Sequence, residues 1–248
     1  MSKISSQKDN YNRIAALYHQ HYGDEYSQKY RMKFIYHRLF KNFSLNGCYV
    51  LDAMGGSGES IDFFLQSGAK PVSLDISFME LKSLKSKYPT MDVVCSSITD
   101  TGVKSGQFDA VVIIGGLHHV HPFTNEAMQE IHRLLKSGGK LFLFEPHRGS
   151  IADIFRKIWY RFDKYFLENE KSIDVDNLIA DFSELFEFKK PGYHGNLGYI
   201  FVFSSMILRM PMKVKKLYAN FFLKLESLLS IFESRLLSIY VLIEATRK

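Results

Sequence analysis

Three groups of residues have types and spacings that can do chemistry. The first is Val50-Leu51-Asp52-Ala53-Met54-Gly55-Gly56-Ser57-Gly58, an apolar run that breaks into glycines. Glycines there let the backbone turn tightly and approach a ligand, and a helix starting behind them offers free N–H groups. The second is Asp75, 20 residues after Gly55 and at the end of the next apolar run. A carboxylate so placed can accept hydrogen bonds from both hydroxyls of a ribose. Each group also has a plain structural reading. The glycines can make a simple turn, and Asp75 can be a helix N-cap, although Ser77 can fill that role. Together they point to a nucleoside cofactor without saying which. The third group is His118, His119 and His121. Imidazole titrates near neutrality, so each is a candidate general base. Their spacing of one and two, with no partner carboxylate, argues against a metal site, and no metal is expected.

These residues must be held by regular elements. The pattern predicts strands at 48–53, 71–76, 91–95, 108–114, 140–145, 187–193 and 238–245. Helices are predicted at 58–66, 78–88, 125–135, 150–166 and 176–186. Strands alternating with helices imply a mostly parallel seven-stranded sheet with helices on both faces, an α/β fold of Rossmann-like type. Continuous apolar runs such as Phe108–Ile114 suit strands covered on both sides. The helical pattern from Asp9 to Phe43 precedes the sheet. The expected organisation is an N-terminal helical lid at 1–46, a core at 47–195 and 237–248, and a helical insertion at 196–236.

The run from Val50 to Glu145 resembles the class I S-adenosylmethionine-dependent methyltransferases, in particular the small-molecule group that includes the ubiquinone and menaquinone enzymes. Asp52, Gly56 and Gly58 match the first motif, with Met54 where the family has its first glycine. Asp75 matches the acidic residue after the second strand. Ser96-Ser97-Ile98 falls on the adenine-contacting segment, with Ser97 in place of an aspartate. Leu117-His118-His119-Val120 and Arg133-Leu134-Leu135-Lys136-Ser137-Gly138-Gly139-Lys140-Leu141 follow in the family's order.

The resemblance implies S-adenosylmethionine as cofactor, S-adenosylhomocysteine as product and a small-molecule acceptor, most readily an oxygen. It implies that Asp52, Met54, Gly55, Gly56 and Gly58 hold the methionine part, with the Met54 side chain pointing away. It also implies Asp75 with Ile76 at the ribose, Ser97 and Ile98 at the adenine, and Gly115 and Gly116 near the methyl group. His119 is then the expected general base, although a histidine in this motif can also simply pack. His147 and Arg148, at the end of the fifth strand, are candidates for the acceptor, Arg148 for a phosphate or carboxylate. A solvated loop is the plain alternative there. Tyr18, flanked by Tyr11 and Tyr22, is the expected lid contact.

Composition bounds the rest. Of 248 residues 46% are hydrophobic and 23% charged, so a packed core is expected and disorder is not. The net charge of +6 favours acidic partners, but without an Arg-rich tract or finger spacing nucleic acid is not expected. Cys48 and Cys95, without a CxxC pair, read as reduced, buried thiols of a cytoplasmic protein, and polar residues 1–10 give no secretion signal. Between Leu217 and Leu236 apolar residues recur at helical spacing, with Arg209, Lys213, Lys215 and Lys216 just before. That segment can meet the domain itself, a second subunit, a substrate or the inner face of a membrane. The placement of this insertion before a final strand resembles that in bacterial methyltransferases of surface-glycan and lipid-linked pathways, which fits the basic charge. Two other readings stand beside the enzyme: a non-catalytic protein that binds the sulfur nucleoside, and a nicotinamide-dependent oxidoreductase. The turn at 55–58 lacks the glycine spacing of the latter.

Overall fold

The computed structural model describes residues 23–160, 172–204 and 210–248, leaving aside the side chains of 156–160. Helical residues come first: α1 (Glu25–Tyr30), a π-helical stretch (Arg31–Tyr36) and a last turn (His37–Leu39). Asp24 caps α1, its Oδ1 accepting from the N–H groups of Tyr26 and Ser27. Then follow β1 (Tyr49–Ala53), α2 (Ile61–Gln66), β2 (Lys70–Asp75), α3 (Phe78–Lys87), β3 (Asp92–Cys95) and β4 (Phe108–Ile114). After a 3-10 turn (Leu117–His119) come α4 (Thr124–Leu134), β5 (Leu135–Pro146), α5 (Ile151–Tyr160), α6 (Val175–Phe182), β6 (Phe186–Phe188) and β7 (Gly192–His194). A π-helical stretch (Tyr199–Phe203), α7 (Met212–Leu229), a 3-10 turn (Ser230–Phe232) and β8 (Tyr240–Arg247) complete the described chain.

The sheet runs β3-β2-β1-β4-β5-β8-β6, with β7 also on β8. The first five strands are parallel, while β8 runs antiparallel to β5, β6 and β7. Alternation along the strands divides the core in two. Leu51, Val111, Ile113, Leu141 and Leu143 face one cluster, which α4 and α6 cover with Met128, Ile131, Leu178 and Phe182. Val50, Ala110, Val112, Phe142 and Phe144 face the other, covered by Tyr30, Phe34, Ile35 and Tyr36 and by Ile61 and Phe64 of α2. Tyr30, Phe34, Ile35 and Tyr36 of the segment expected as a lid therefore pack in the core.

Several expectations shift. The sixth strand is two, because Pro191 between them has no N–H to give to a ladder. The fifth strand begins earlier, since Leu135 pairs with Phe108 ahead of a register shift. The long helix of the insertion is divided, and α7 begins only after Pro211. Neither cysteine is buried as expected: Cys95 is exposed, because β3 is an edge strand, and Cys48 is half-buried. Among the described residues no helix is long and apolar enough to cross a membrane.

Candidate active site

In this sheet β1 lies between β2 and β4, so the chain leaves the centre in opposite directions on either side. A crevice opens at the carboxyl ends of the strands where the order reverses. The loop after β1 lines it. Gly55 donates its N–H to the Leu74 carbonyl (3.1 Å). A Cβ on Gly55 would stand 2.6 Å from Asp52 Oδ2 and 2.7 Å from Ser73 Oγ, so only glycine fits. Asp75 ties the loop to β2, its Oδ2 accepting from the Gly56 N–H (2.9 Å) and its Oδ1 from the Ser77 N–H (2.8 Å). Each oxygen keeps a lone pair for a further donor.

Asp52 is 1% exposed. Burial and the negative charge of Glu59 push its carboxyl up to about 8, with Arg31 pulling the other way. Burial also raises Asp75, against the hydrogen bonds from Ser77 and Gly56. Among the described residues Asp52 Oδ2 and Ser73 Oγ have no hydrogen-bond partner. Buried polar atoms left so are costly unless a ligand or water meets them.

The opposite wall comes from β4 and the turn behind it. Glu145, fully buried on β5, accepts from the N–H groups of Gly116 (3.0 Å) and Leu117 (2.7 Å) and lies 2.6 Å from His118 Nδ1. This carboxylate fixes the 3-10 turn. The His119 ring lies against that of His118, with centroids 3.8 Å apart, and His119 lines the cavity. Beside them, Ser97 Oγ and Thr99 Oγ1 are 2.7 Å apart, and Ile98 is 4% exposed.

Of the expected cofactor residues, Asp52, Met54, Gly55, Gly56, Asp75, Ile76, Ser97, Ile98, Gly115 and Gly116 line this one cavity. Gly58 does not. Its φ of +88° and the 2.9 Å from its would-be Cβ to Leu84 Cδ1 make it a packing and turn position. Met54 adopts φ 60°, and its side chain packs on the core beside Gly116, where an added Cβ would stand 2.9 Å from its Sδ. His147 is fully buried, its ring nitrogens facing the carbonyls of Arg148 (3.2 Å) and Ser238 (3.1 Å), and it is not among the lining residues. Arg148 is exposed and reaches Asp174 (3.3 Å). His121 is exposed. Tyr11, Tyr18 and Tyr22 lie outside the described residues.

Sequence reasoning missed Arg31, Glu59, Ser60, Glu80 and Phe123, all of which line the cavity. Arg31 had a signal: a charge among Tyr30, Phe34 and Ile35 in a stripe of helical spacing, and it is 4% exposed. Four carboxylates (Asp52, Glu59, Asp75 and Glu80) and this one guanidinium are the charged groups of the described lining. The cavity is acidic in a chain whose net charge is +6. Among the described residues no three His, Cys, Asp or Glu side chains converge on a metal position.

Residues 51–143 match the family described as a methyltransferase domain. That span runs from β1 to β5 and takes in the loop, Asp75, the Ser97 segment and the histidine turn. Residues 51–143 form a methyltransferase domain. A demethylmenaquinone methyltransferase of Renibacterium salmoninarum is 35% identical over 99 residues, which are 40% of this chain and 41% of that one. An uncharacterized methyltransferase of Synechocystis is 33% identical over 118 residues, 46% of this chain and 56% of the other. The chain thus spans about half the length of these curated relatives or less. Among solved structures, a SAM-dependent methyltransferase from Archaeoglobus fulgidus superposes with a TM-score of 0.61 at 16% identity, covering 94% of this chain and 98% of that one. Magnesium protoporphyrin IX methyltransferase from Synechocystis with bound SAM gives 0.62 at 14% identity, covering 100% and 98%. At such identities the likeness is one of fold.

Proposed function

We propose that this protein transfers a methyl group from S-adenosylmethionine to an oxygen of a small-molecule acceptor, in glycan or lipid-linked biosynthesis. The observation that carries the reading is an acidic cavity at the sheet's switch point with His119 at its wall beside Gly115 and Gly116. The residues present fit the cofactor. Its sulfonium and ammonium are cationic and suit a cavity with four carboxylates. Asp52 Oδ2, buried and unmatched among the described residues, stands under the loop that would hold the methionine end. Arg31 offers a cation to the cofactor's carboxylate. Asp75 has lone pairs left for two ribose hydroxyls, and Ile98, Val120 and Phe123 give apolar contact to a base.

When bound, S-adenosylmethionine supplies an electrophilic methyl group, so the chain's own work is alignment, exclusion of water and proton removal. Gly115 and Gly116 leave room at the end of β4. Glu145 orders the turn, His118 backs the His119 ring, and His119 takes the acceptor's proton. Acceptor choice falls to the N-terminal segment and to residues after Pro146, including His147 and Arg148 through the loop they shape.

Calorimetric titration with S-adenosylmethionine, S-adenosylhomocysteine and NAD tests the cofactor, with Asp75→Ala as control. Both sulfur nucleosides should bind, NAD should not, and the variant should lose affinity. An acceptor screen over glycan and lipid precursors then tests the reaction. His119→Gln should keep cofactor binding and lose turnover, with a shifted pH profile. Unchanged turnover would remove His119 as the base.

A further inference from the structure

Helix α7 buries two charged side chains and exposes an apolar stripe. Repeated apolar residues at helical spacing ordinarily face the core. Here Lys215, Ala219 and Glu226 point inward and are fully buried. Lys215 Nζ donates to Asp24 Oδ2 (2.6 Å) and Ser27 Oγ (2.8 Å). Glu226 accepts from Tyr30 Oη (2.6 Å) and from the Gly198 N–H (2.8 Å). These partners fix the rotation of the helix, because turning it would strand two buried charges. Leu217 (86% exposed), Phe221 (63%) and Leu228 (69%) therefore face outward, and Ile231 (79%) and Phe232 (61%) follow in the next turn.

The exposed charges on α7 have one sign. Lys213, Lys216 and Lys224 are exposed, and the only acid of α7 is the buried Glu226. A two-fold contact with a second copy would bring like-charged rows together. A surface of anionic headgroups over acyl chains matches both the lysines and the apolar stripe. The helix is interrupted by lysines and does not qualify as a span, so it would lie in the plane of a surface.

We propose that α7 and the turn after it dock on an anionic phospholipid bilayer, apolar stripe in the acyl boundary and lysines on the headgroup phosphates. The docking face uses no residue of the cavity, so its test is separate from that of methyl transfer. The experiment is flotation of the full chain with vesicles of phosphatidylcholine alone or mixed with phosphatidylglycerol. The chain floats with the anionic vesicles, and added salt weakens the binding. Lys213→Gln, Lys216→Gln and Lys224→Gln together lower the affinity by roughly a hundredfold, at about fivefold per lysine. Leu217→Ser with Phe221→Ser abolishes flotation with the anionic vesicles. Thermal melting of each variant is the control for folding. Absence of wild-type flotation with anionic vesicles overturns the proposal, as does full retention of binding in both variants. A lipid-free dimer that the serine pair dissociates overturns it in favour of self-association.

Discussion

Replacing Asp52 by Asn asks whether the acid under the glycine loop keeps its proton in the fold. Burial pushes this carboxyl up to about 8, with Glu59 adding to the rise, whereas its ordinary value is 3.8. Between those two pH values the folded chain holds a proton that the unfolded chain has lost. Stability attributable to Asp52 therefore falls as pH rises through that window. One proton corresponds to a slope of about 1.4 kcal/mol per pH unit. Asn matches the neutral acid in shape and has no proton to lose. Urea unfolding at a series of pH values should show Asp52→Asn gaining on the wild type by about 3 kcal/mol between pH 5 and pH 7. Burial raises Asp75 and Glu226 too, but both chains contain them, so their effects cancel in the difference. Parallel curves for the two proteins would refute the reasoning, because they would mean that Asp52 ionises in the fold as it does in the open chain.

Other perturbations act on neighbouring parts of the frame. Glu145→Ala strands the N–H groups of Gly116 and Leu117 together with the His118 ring, and unfolding should show a loss of about 3 kcal/mol or more. Gly116→Ala puts a methyl 2.9 Å from both Ile113 Cγ2 and Met54 Sδ, which should cost about 1–3 kcal/mol on melting. Adding Met54→Gly removes one of those contacts and the strain of a side chain at φ 60°, so the double variant should recover part of the loss. Lys215→Met leaves Asp24, whose side chain is 5% exposed, without its cation, for a loss of about 3–5 kcal/mol. Asp24→Asn in the same chain keeps an N-cap and should restore much of it, as a double-mutant cycle would read.

The parallel half of the sheet was legible because its strands are buried on both faces. Phe108–Ile114 was placed to the residue, since a seven-residue apolar run between polar loops leaves few alternatives. The loop after β1 and Asp75 were legible because backbone constraints fix their residue types. What was hidden depends on partners distant in sequence. Glu145 looks like the polar end of an apolar strand until its carboxylate is seen under a turn 28 residues earlier. Met54 read as a side chain that must point away, but not as one packed on the core beside Gly116. His147 sits where an acceptor-binding residue is expected, but the carbonyl of Ser238, 91 residues later, draws its ring inward.

The same limit applies to charge. A net +6 is an average over the chain and argues for acidic partners. The structure separates the signs. Carboxylates from the β1 loop, β2 and α3 converge on the cavity, while exposed lysines of α7 stand on the outer surface. A cationic ligand and an anionic surface are then both compatible with one chain, each at its own place. Arg31 links the two regions. It lies on the helical segment that Lys215 and Glu226 clamp to α7 through Asp24 and Tyr30, and it lines the cavity. A change that loosens α7 should therefore reach the cofactor through Arg31, whereas a change confined to the outer stripe should not.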